Sequence, residues 1–206
     1  MANKEFNIKR FLQDRPLSWS AMSSFEYDPE QWYQKYILKN DQRPSPEMLF
    51  GKKFADSCEA RAPLAPVTLL DRMEYKLEFE FNEIPMVGFA DTYNFTETGE
   101  YKTGVKAWDQ KRVNEHGQID FYALGNWIIH QIRPQECRFW LEWIPTKKVE
   151  KGNGAYRGFD YAIEFATKIP TVKHFDTKRS MKDILQFGNR IEITLKAMER
   201  YVQNHE

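Results

Sequence analysis

The sequence has little cysteine and no long apolar run, and each shortage excludes a class of protein. Only two of its 206 residues are cysteines, Cys58 and Cys137. They are too few for a disulfide framework, or for a zinc or iron–sulfur site made of cysteines alone. No apolar run approaches the roughly 20 residues that a membrane span needs. The opening residues MANKEFNIKR lack the apolar core of a secretory signal. We therefore expect a cytoplasmic protein with no membrane partner.

The chain also lacks a net charge and the commonest catalytic sequence motifs. The 30 basic and 30 acidic residues cancel, so overall charge does not favour nucleic-acid binding, although a local basic groove can offset an acidic metal site. No glycine-rich loop is followed by Lys-Ser or Lys-Thr, so nothing indicates nucleotide hydrolysis. The four histidines lack the spacing of metal ligands; they are His116, His130, His174 and His205.

The rest of the composition fits a globular domain. Hydrophobic residues make up 41% of the chain and charged residues 29%, as in a soluble globular protein. The length suffices for one domain with a real core. We expect an N-terminal arm over residues 1–17 and a single domain over residues 18–206.

Hydrophobic periodicity predicts a mixture of helices and strands. Helices are expected over 21–27 with Ser20 as the N-cap, from Pro29 onwards, and over 46–61, 117–132 and 178–202. Strands are expected over 74–81, in a hairpin over 87–104, and in two later segments, 137–143 and 159–165. Strict alternation over 74–81 turns Glu74, Lys76, Glu78 and Glu80 towards solvent. Residues 105–115 are expected to be a polar connection and 146–154 a hairpin loop. This order predicts an α/β or α+β fold, a mixed sheet of about five strands flanked by helices.

The hairpin VGFADTYNFTETGEYKTG, residues 87–104, carries the most informative pattern. By the two-residue period of a strand, Asp91 falls on the same face as the apolar residues Val87, Phe89, Tyr93 and Phe95. A carboxylate on an apolar face needs a partner. If the turn centres on Thr96 and Glu97, Asp91 lies opposite Lys102, and Glu100 joins them. A register shifted by one residue would turn Asp91 to the other face.

Two carboxylates and a lysine on neighbouring strands suit metal-assisted hydrolysis of a phosphodiester. Carboxylate oxygens are the ligands that Mg²⁺ and Mn²⁺ prefer. Such a metal polarises the phosphoryl group and lowers the pKa of its bound water, and a lysine stabilises developing charge. On spacing alone, an ordinary hairpin with surface charges explains Asp91, Glu100 and Lys102 equally well.

Five motifs follow one another along the chain: SWSAMSSFEYDPEQWYQKYI at 18–37, FGKKFADSCE at 50–59, VGFAD at 87–91, EYKTG at 100–104 and QIDFY at 118–122. In this order they resemble the motifs of the RecB-like nucleases of the PD-(D/E)XK superfamily. The resemblance covers most of residues 18–165 and implies a restriction-endonuclease-like core. It implies that Asp91, Glu100 and the backbone carbonyl of Tyr101 bind the metal, and that Lys102 is the catalytic lysine. Gln118 and Tyr122, one helical turn apart, would then face the site and contact substrate.

Two departures from the family pattern affect the expected metal site. Many relatives carry a histidine ligand four residues after the glycine of the second motif, where this chain has Ala55. Glu59, one turn further on, is the expected substitute carboxylate, and Asp56 is less well placed. Relatives with an iron–sulfur cluster have a cysteine where this chain has Asp28. We therefore expect no iron–sulfur cluster, which favours a phage-type enzyme over the CRISPR-adaptation type.

These patterns together predict a metal-dependent DNA nuclease acting in recombination, repair or phage DNA metabolism. We expect an exonuclease or DNA-end-processing enzyme, working on single- or double-stranded ends, with a helicase or annealing protein as a possible partner. Further candidate substrate contacts are Ser20, Lys147 and Lys148, and Trp108 is a candidate for base stacking. The alternative is a nuclease-fold module that binds DNA or a protein after losing catalysis; the absent histidine favours it, and the intact Asp91, Glu100 and Lys102 oppose it.

Overall fold

A six-stranded mixed sheet organises the protein, which is described from a computed structural model over residues 6–40, 43–151 and 158–205. Its strands are β1 (Arg72–Phe81), β2 (Ile84–Tyr93), β3 (Glu97–Gly104), β4 (Arg138–Glu150), β5 (Tyr161–Phe165) and β6 (Lys173–Thr177). The strand order is β1-β2-β3-β4-β5, and β6 pairs with the first half of β4. Only the β3–β4 pair is parallel among the described strands. The predicted α/β class is confirmed, with one strand more than expected.

Seven α-helices accompany the sheet within the described ranges. They are α1 (Ile8–Asp14), α2 (Trp19–Tyr27), α3 (Pro29–Tyr36), α4 (Pro46–Glu59), α5 (Gln110–Asn114), α6 (Gly117–His130) and α7 (Met181–Gln203). One face of the sheet packs against α1, α2, α3, α6 and α7 in the larger core. The other face packs against α4, whose Phe54 and Cys58 contact Tyr101, Trp140 and Ile144 in a second core.

Strand β4 is the centre of the sheet and is covered on both faces. Its residues from Phe139 to Ile144 are all buried. Phe139 belongs to the larger core and Trp140 to the α4 side, as the two-residue period requires. The sequence predicted a loop from residue 146, but β4 continues to Glu150, because residues 146–150 pair with β5 in an extended hairpin. Residues 152–154 of that predicted loop, together with 155–157, lie outside the described residues.

The predicted helices are found with small changes at their ends. Asp28 caps α3, and Pro29 is its first residue, as expected. Helix α2 begins earlier than predicted, because the side chain of Ser18, not Ser20, accepts a hydrogen bond from the Ala21 backbone at 3.1 Å. Helix α7, in the segment predicted to be helical, buries a stripe of Ile184, Phe187, Ile191, Leu195, Met198 and Val202. None of the described helices is long and apolar enough to cross a membrane.

The segment that the sequence suggested was an arm, residues 1–17, is packed against the core from residue 6 onwards. Helix α1 buries Ile8 and Leu12, and Leu17 is 1% exposed. The backbone of Leu17 donates to Pro85 at 2.8 Å and accepts from Val87 at 3.0 Å. Apolar residues spaced four apart in a short helix are therefore enough to fix this segment against β2 and α7.

Candidate active site

The candidate site lies where strands β2 and β3 separate. Among the described residues the two strands pair only through Thr92 with Gly99 and Tyr93 with Thr98. Asp91 therefore lies at the fork on β2, and Glu100 lies at the fork on β3. The predicted register is wrong by two residues: Tyr93, not Phe95, pairs with Thr98. A two-residue shift keeps every side chain on its predicted face, so Asp91 and Glu100 still approach each other.

A tight turn at Asn94 and a close approach between β3 and β4 border this fork. The side chain of Asn94 accepts hydrogen bonds from the backbones of Thr96 at 2.9 Å and Glu97 at 2.7 Å, which fixes a tight turn. Gly99, beside the fork, leaves room for a neighbouring ring, because a Cβ there would lie 2.2 Å from Trp140. The indole of Trp140 thus supports β3 directly before Glu100.

Asp91 is held across the fork by the backbone of β3. Its Oδ2 accepts a hydrogen bond from the Tyr101 N–H at 2.6 Å. Burial, followed by the nearby Glu100 carboxylate, raises the pKa of Asp91 well above its usual range, while Lys102 acts in the opposite direction. The side chain of Tyr101 packs on the other face, against Phe54, so the backbone of Tyr101 stays at the fork.

Glu100 and Lys102 form the ion pair of the site. The Lys102 ammonium donates to Oε1 of Glu100 and, at 2.9 Å, to Oε1 of Gln118. The Glu100 side chain is 3% exposed and that of Lys102 28% exposed, so the pair is largely removed from water. Burial by itself would lower the pKa of Lys102, but the Glu100 and Asp91 carboxylates outweigh it and raise the pKa. Lys102 is therefore protonated at neutral pH.

Helix α6 supplies the other side of the site through Gln118 and Tyr122, as the resemblance implies. Gln118 donates to Oε2 of Glu100 at 2.9 Å and to the Tyr122 hydroxyl at 2.6 Å. The Tyr122 hydroxyl also contacts Oε2 of Glu100 at 2.6 Å and the Phe89 carbonyl at 2.8 Å. One helical turn separates the two residues, so both point to the same carboxylate. Burial, then Glu100, raises the pKa of Tyr122 well above its usual range, so its hydroxyl stays neutral.

His116, at the N-cap of α6, is a neutral neighbour of the site. Burial, then the positive charge of Lys102, lowers its pKa to about 3. Its Nε2 has no hydrogen-bond partner among the described residues, and its ring packs against Trp19 and Trp108 at centroid distances of 5.9 and 4.9 Å. No pattern in the sequence indicates this environment of His116.

Glu74 is a carboxylate near the site that sequence analysis assigned to the solvent face of β1. The pairs Met73 with Thr92 and Tyr75 with Ala90 put Glu74 opposite Asp91. Burial, then the Glu100 carboxylate, raises the pKa of Glu74. Its backbone is left-handed, with φ of 47°, a conformation that departs from regular strand geometry. Strict alternation hid this residue, because the pattern carries no signal for a left-handed residue within a strand.

The predicted metal ligand Glu59 is exposed at the end of α4. In the described ranges no three His, Cys, Asp or Glu side chains form a group that could hold a metal ion. Glu59 is therefore not grouped with Asp91 and Glu100 in this arrangement. The face of α4 that carries Gly51 and Ala55 does approach β3, since a Cβ on Gly51 would lie 3.6 Å from Thr103 Oγ1.

The remaining predicted substrate contacts lie outside this network. Ser20 is exposed in the first turn of α2. Lys148 pairs with Glu47 at 3.1 Å and lies over the Tyr161 ring, while Lys147 is exposed on the β4–β5 hairpin. The Arg112 guanidinium, in helix α5, lies 3.8 Å from the centre of the Trp108 ring. Both residues belong to the segment 105–115, which was expected to be a polar connection.

Comparison with known proteins supports the fold alone. No protein-family model matches the chain, and no curated protein sequence matches it. A crystal structure of a "putative exonuclease" from Eubacterium rectale matches it with a TM-score of 0.55 and 9% sequence identity, covering 100% of this chain and 87% of that one. The mixed α/β sheet flanked by helices is thus compatible with a nuclease-like fold.

Proposed function

We propose that this protein is a divalent-metal-dependent nuclease that hydrolyses phosphodiester bonds in DNA. The observation that carries the proposal is the meeting of Asp91, Glu100 and Lys102 at the fork between β2 and β3. Residues from two separate sequence motifs converge there, and Gln118 and Tyr122 join them from a third. A chance hairpin with surface charges would leave these side chains in solvent. The fold likeness to an exonuclease-named structure supports the same interpretation.

The donor atoms at the fork fit Mg²⁺ or Mn²⁺ in kind. Asp91, Glu100 and the Tyr101 carbonyl offer only hard oxygen ligands. Burial, and after it the Glu100 carboxylate, raises the pKa of Asp91, and a bound cation would favour its ionised form. When bound, such a metal supplies a polarised phosphoryl group and a water of lowered pKa. Glu74 and Glu59 are the two carboxylates available to complete the ligand set, and Glu74 is the half-buried one, opposite Asp91.

Lys102 acts as a fixed positive charge in this proposal, not as a base. Its raised pKa keeps the ammonium protonated at neutral pH. A protonated lysine in a half-buried site stabilises the charge that develops on phosphoryl oxygens. Gln118 holds Lys102 and Glu100 together, since its amide oxygen accepts from one and its amide nitrogen donates to the other. Tyr122 fixes the orientation of the Glu100 carboxylate as a neutral donor.

We further propose that the substrate is a DNA end, and that the enzyme acts in recombination, repair or phage DNA metabolism. A helicase or an annealing protein is the kind of partner that would supply such ends. No iron–sulfur cluster is proposed, since Cys58 and Cys137 are both buried, in two different cores.

The second candidate is a DNA-binding or protein-binding module that has lost catalysis. Its supporting observation is that both oxygens of Glu100 already have protein donors: Lys102 on Oε1, and Gln118 and Tyr122 on Oε2. These contacts occupy three of the roughly four acceptor positions of the carboxylate, which leaves one, on Oε1, for a metal.

Cleavage of end-labelled DNA separates the two candidates. Linear and circular DNA, single- and double-stranded, would be incubated with Mg²⁺, Mn²⁺ or EDTA. We expect metal-dependent loss of linear DNA by the wild type and none by Lys102→Ala. A protein that binds DNA but cleaves none under any metal would instead be a binding module. Survival of circular DNA would identify an enzyme that needs an end.

A further inference from the structure

A cleft of about 610 Å³ lies between helix α4 and the β4–β5 hairpin. Three lysines surround it: Lys53 from α4, Lys147 from β4, and Lys168 from the segment after β5. All three are exposed. The floor is apolar and includes Leu49, Phe50 and Phe165. This combination, here called the lysine cleft, is separate from the contacts at Asp91 and Glu100.

The lysines of the cleft have no carboxylate partner among the described residues, so their charge is not neutralised locally. Other exposed lysines nearby are paired: Lys52 with Asp56 at 2.8 Å, Lys148 with Glu47 at 3.1 Å, and Lys151 with Glu164 at 3.0 Å. Among the described residues, Lys53, Lys147 and Lys168 form no ion pair. Glu164 is the acidic residue that lines the cleft, and Lys151 already neutralises it. The cleft therefore carries an excess of positive charge in a protein with a net charge of +0.

The floor of the cleft presents aromatic surface. Phe50 and Phe165 meet edge to face, with ring centroids 5.2 Å apart. Both side chains are half-buried, so part of each stays open to the cleft. Unpaired bases stack on such surfaces, whereas the bases of a duplex are hidden from them.

The position of the cleft relates it to the site. Strands β3 and β4 are parallel, with Lys102 beside Trp143 and Gly104 beside Pro145. Lys147 is four residues beyond Trp143 on β4, which corresponds to about 13 Å along the strand direction. Helix α4 reaches both β3 and the cleft, because Gly51 lies against Thr103 while Phe50 and Lys53 line the cleft. The cleft thus lies beyond the level of Lys102 along the direction of β4.

We propose that the lysine cleft binds single-stranded DNA, with phosphates at Lys53, Lys147 and Lys168 and bases on the apolar floor. The inference rests on the proposed nuclease function, because the cleft would guide the DNA strand whose phosphodiester bond is cleaved at Lys102. An acidic peptide would use the lysines but has no flat rings for Phe50 and Phe165. Duplex DNA would offer phosphates alone.

Binding would be measured with a fluorescein-labelled oligothymidylate and wild-type protein in EDTA, where no cleavage occurs. The test variant is Lys53→Gln/Lys147→Gln/Lys168→Gln. The control is Lys35→Gln/Lys39→Gln/Lys196→Gln, which removes the same charge from exposed lysines elsewhere that also form no ion pair among the described residues. We expect the test variant to bind about tenfold more weakly and its logarithmic salt dependence to fall by about 2, as three lost contacts to a single strand predict. Phe50→Leu should weaken oligonucleotide binding but leave inorganic polyphosphate binding unchanged.

Equal losses in the test and control variants would overturn the proposal, as would tighter binding of duplex DNA or of RNA of the same sequence. The same experiments distinguish a failure of the cleft proposal from a failure of the nuclease proposal. If the test variant loses binding and the wild type cleaves nothing with Mg²⁺ or Mn²⁺, the cleft is supported and the nuclease proposal fails. If the wild type cleaves and the test variant binds normally, the cleft proposal fails.

Discussion

The hydroxyl oxygen of Tyr122 lies 2.6 Å from Oε2 of Glu100, so helix α6 fixes a carboxylate that strand β3 carries. Removing this hydroxyl in Tyr122→Phe removes the single proton that it can donate, to Glu100 or to the Phe89 carbonyl. We expect a loss of about 1–2 kcal/mol in the free energy of unfolding, because the Glu100 contact is buried. Urea unfolding of the metal-free protein measures the loss.

The control for Tyr122→Phe is Tyr201→Phe, whose hydroxyl contacts Glu30 at 2.9 Å in a solvent-exposed bond. Tyr201→Phe should change the free energy of unfolding by no more than about 0.5 kcal/mol. In the cleavage assay only Tyr122→Phe should be impaired, since only Tyr122 positions Glu100. Equal stability losses in both variants would show that the contact of Tyr122 stabilises the fold no more than an exposed hydrogen bond does.

A second prediction about stability concerns the ion pair of Lys102 and Glu100. Lys102→Met leaves a buried carboxylate without its cation, which should cost about 2 kcal/mol, with the partial exposure of Lys102 limiting the cost. Adding Glu100→Gln removes the uncompensated charge, so the double variant should be more stable than Lys102→Met alone. Urea unfolding of the wild type, both single variants and the double variant gives the coupling energy. None of the three variants should cleave DNA.

The chain offers a matched pair in solvent. Lys76 and Glu78 are also two residues apart on one strand and lie 2.7 Å apart, but their side chains are 50% and 60% exposed. The same cycle at this pair should give a coupling of about 0–1 kcal/mol. If the two cycles agree, burial does not strengthen the pair at the fork.

The hairpin shows which parts of the site a sequence can predict. The faces of Asp91, Glu100 and Lys102 follow from the local two-residue period, and the structure agrees. The register was off by two residues because the turn was centred on Thr96 and Glu97, although asparagine at the first turn position, here Asn94, is a known signal. An even error in register preserves faces, and for this reason the residues of the site were still identified.

Other features depend on distant contacts and leave no local pattern. Strand β6, KHFDT, has no apolar run, and its pairing with Phe139 to Trp143 of β4 decides its conformation. The strong alternation of β1 assigned Glu74 to solvent, but the left-handed backbone and the adjacent fork give that residue a different environment. The lysine cleft likewise joins α4 to a hairpin about 100 residues later in the chain, which spacing alone does not reveal.

His116 should make the protein sensitive to acid. Its pKa is about 3 in the folded protein, lowered by burial and by the charges of Lys102, Arg112 and Arg179, against about 6.5 in the unfolded chain. The unfolded chain therefore takes up a proton first, so this stability is complete above pH 6.5 and is lost as pH falls towards 3. At pH 5 the loss should approach about 2 kcal/mol.

The variant His116→Phe tests this acid sensitivity. It keeps an aromatic ring between Trp19 and Trp108 but cannot take up a proton. Its unfolding free energy should fall less steeply than that of the wild type between pH 6.5 and 4, while the two slopes match between pH 7 and 8. Parallel curves across the acid range would mean that His116 is protonated in the folded protein too.

The identity of the third carboxylate is decided by metal affinity, which does not depend on turnover. Glu74 is half-buried opposite Asp91, and Glu100 contributes to its raised pKa, whereas Glu59 is exposed at the end of α4. We therefore expect Glu74→Gln to weaken Mn²⁺ binding, measured by electron paramagnetic resonance of free Mn²⁺, by about tenfold or more. Glu59→Gln should change it little, and Asp91→Asn should nearly abolish it. A larger effect of Glu59→Gln would support the ligand that sequence spacing selected and would require α4 to move towards the fork when metal binds. If neither variant changed the affinity while Asp91→Asn did, the ligand set would end at Asp91, Glu100 and the Tyr101 carbonyl, with water completing it.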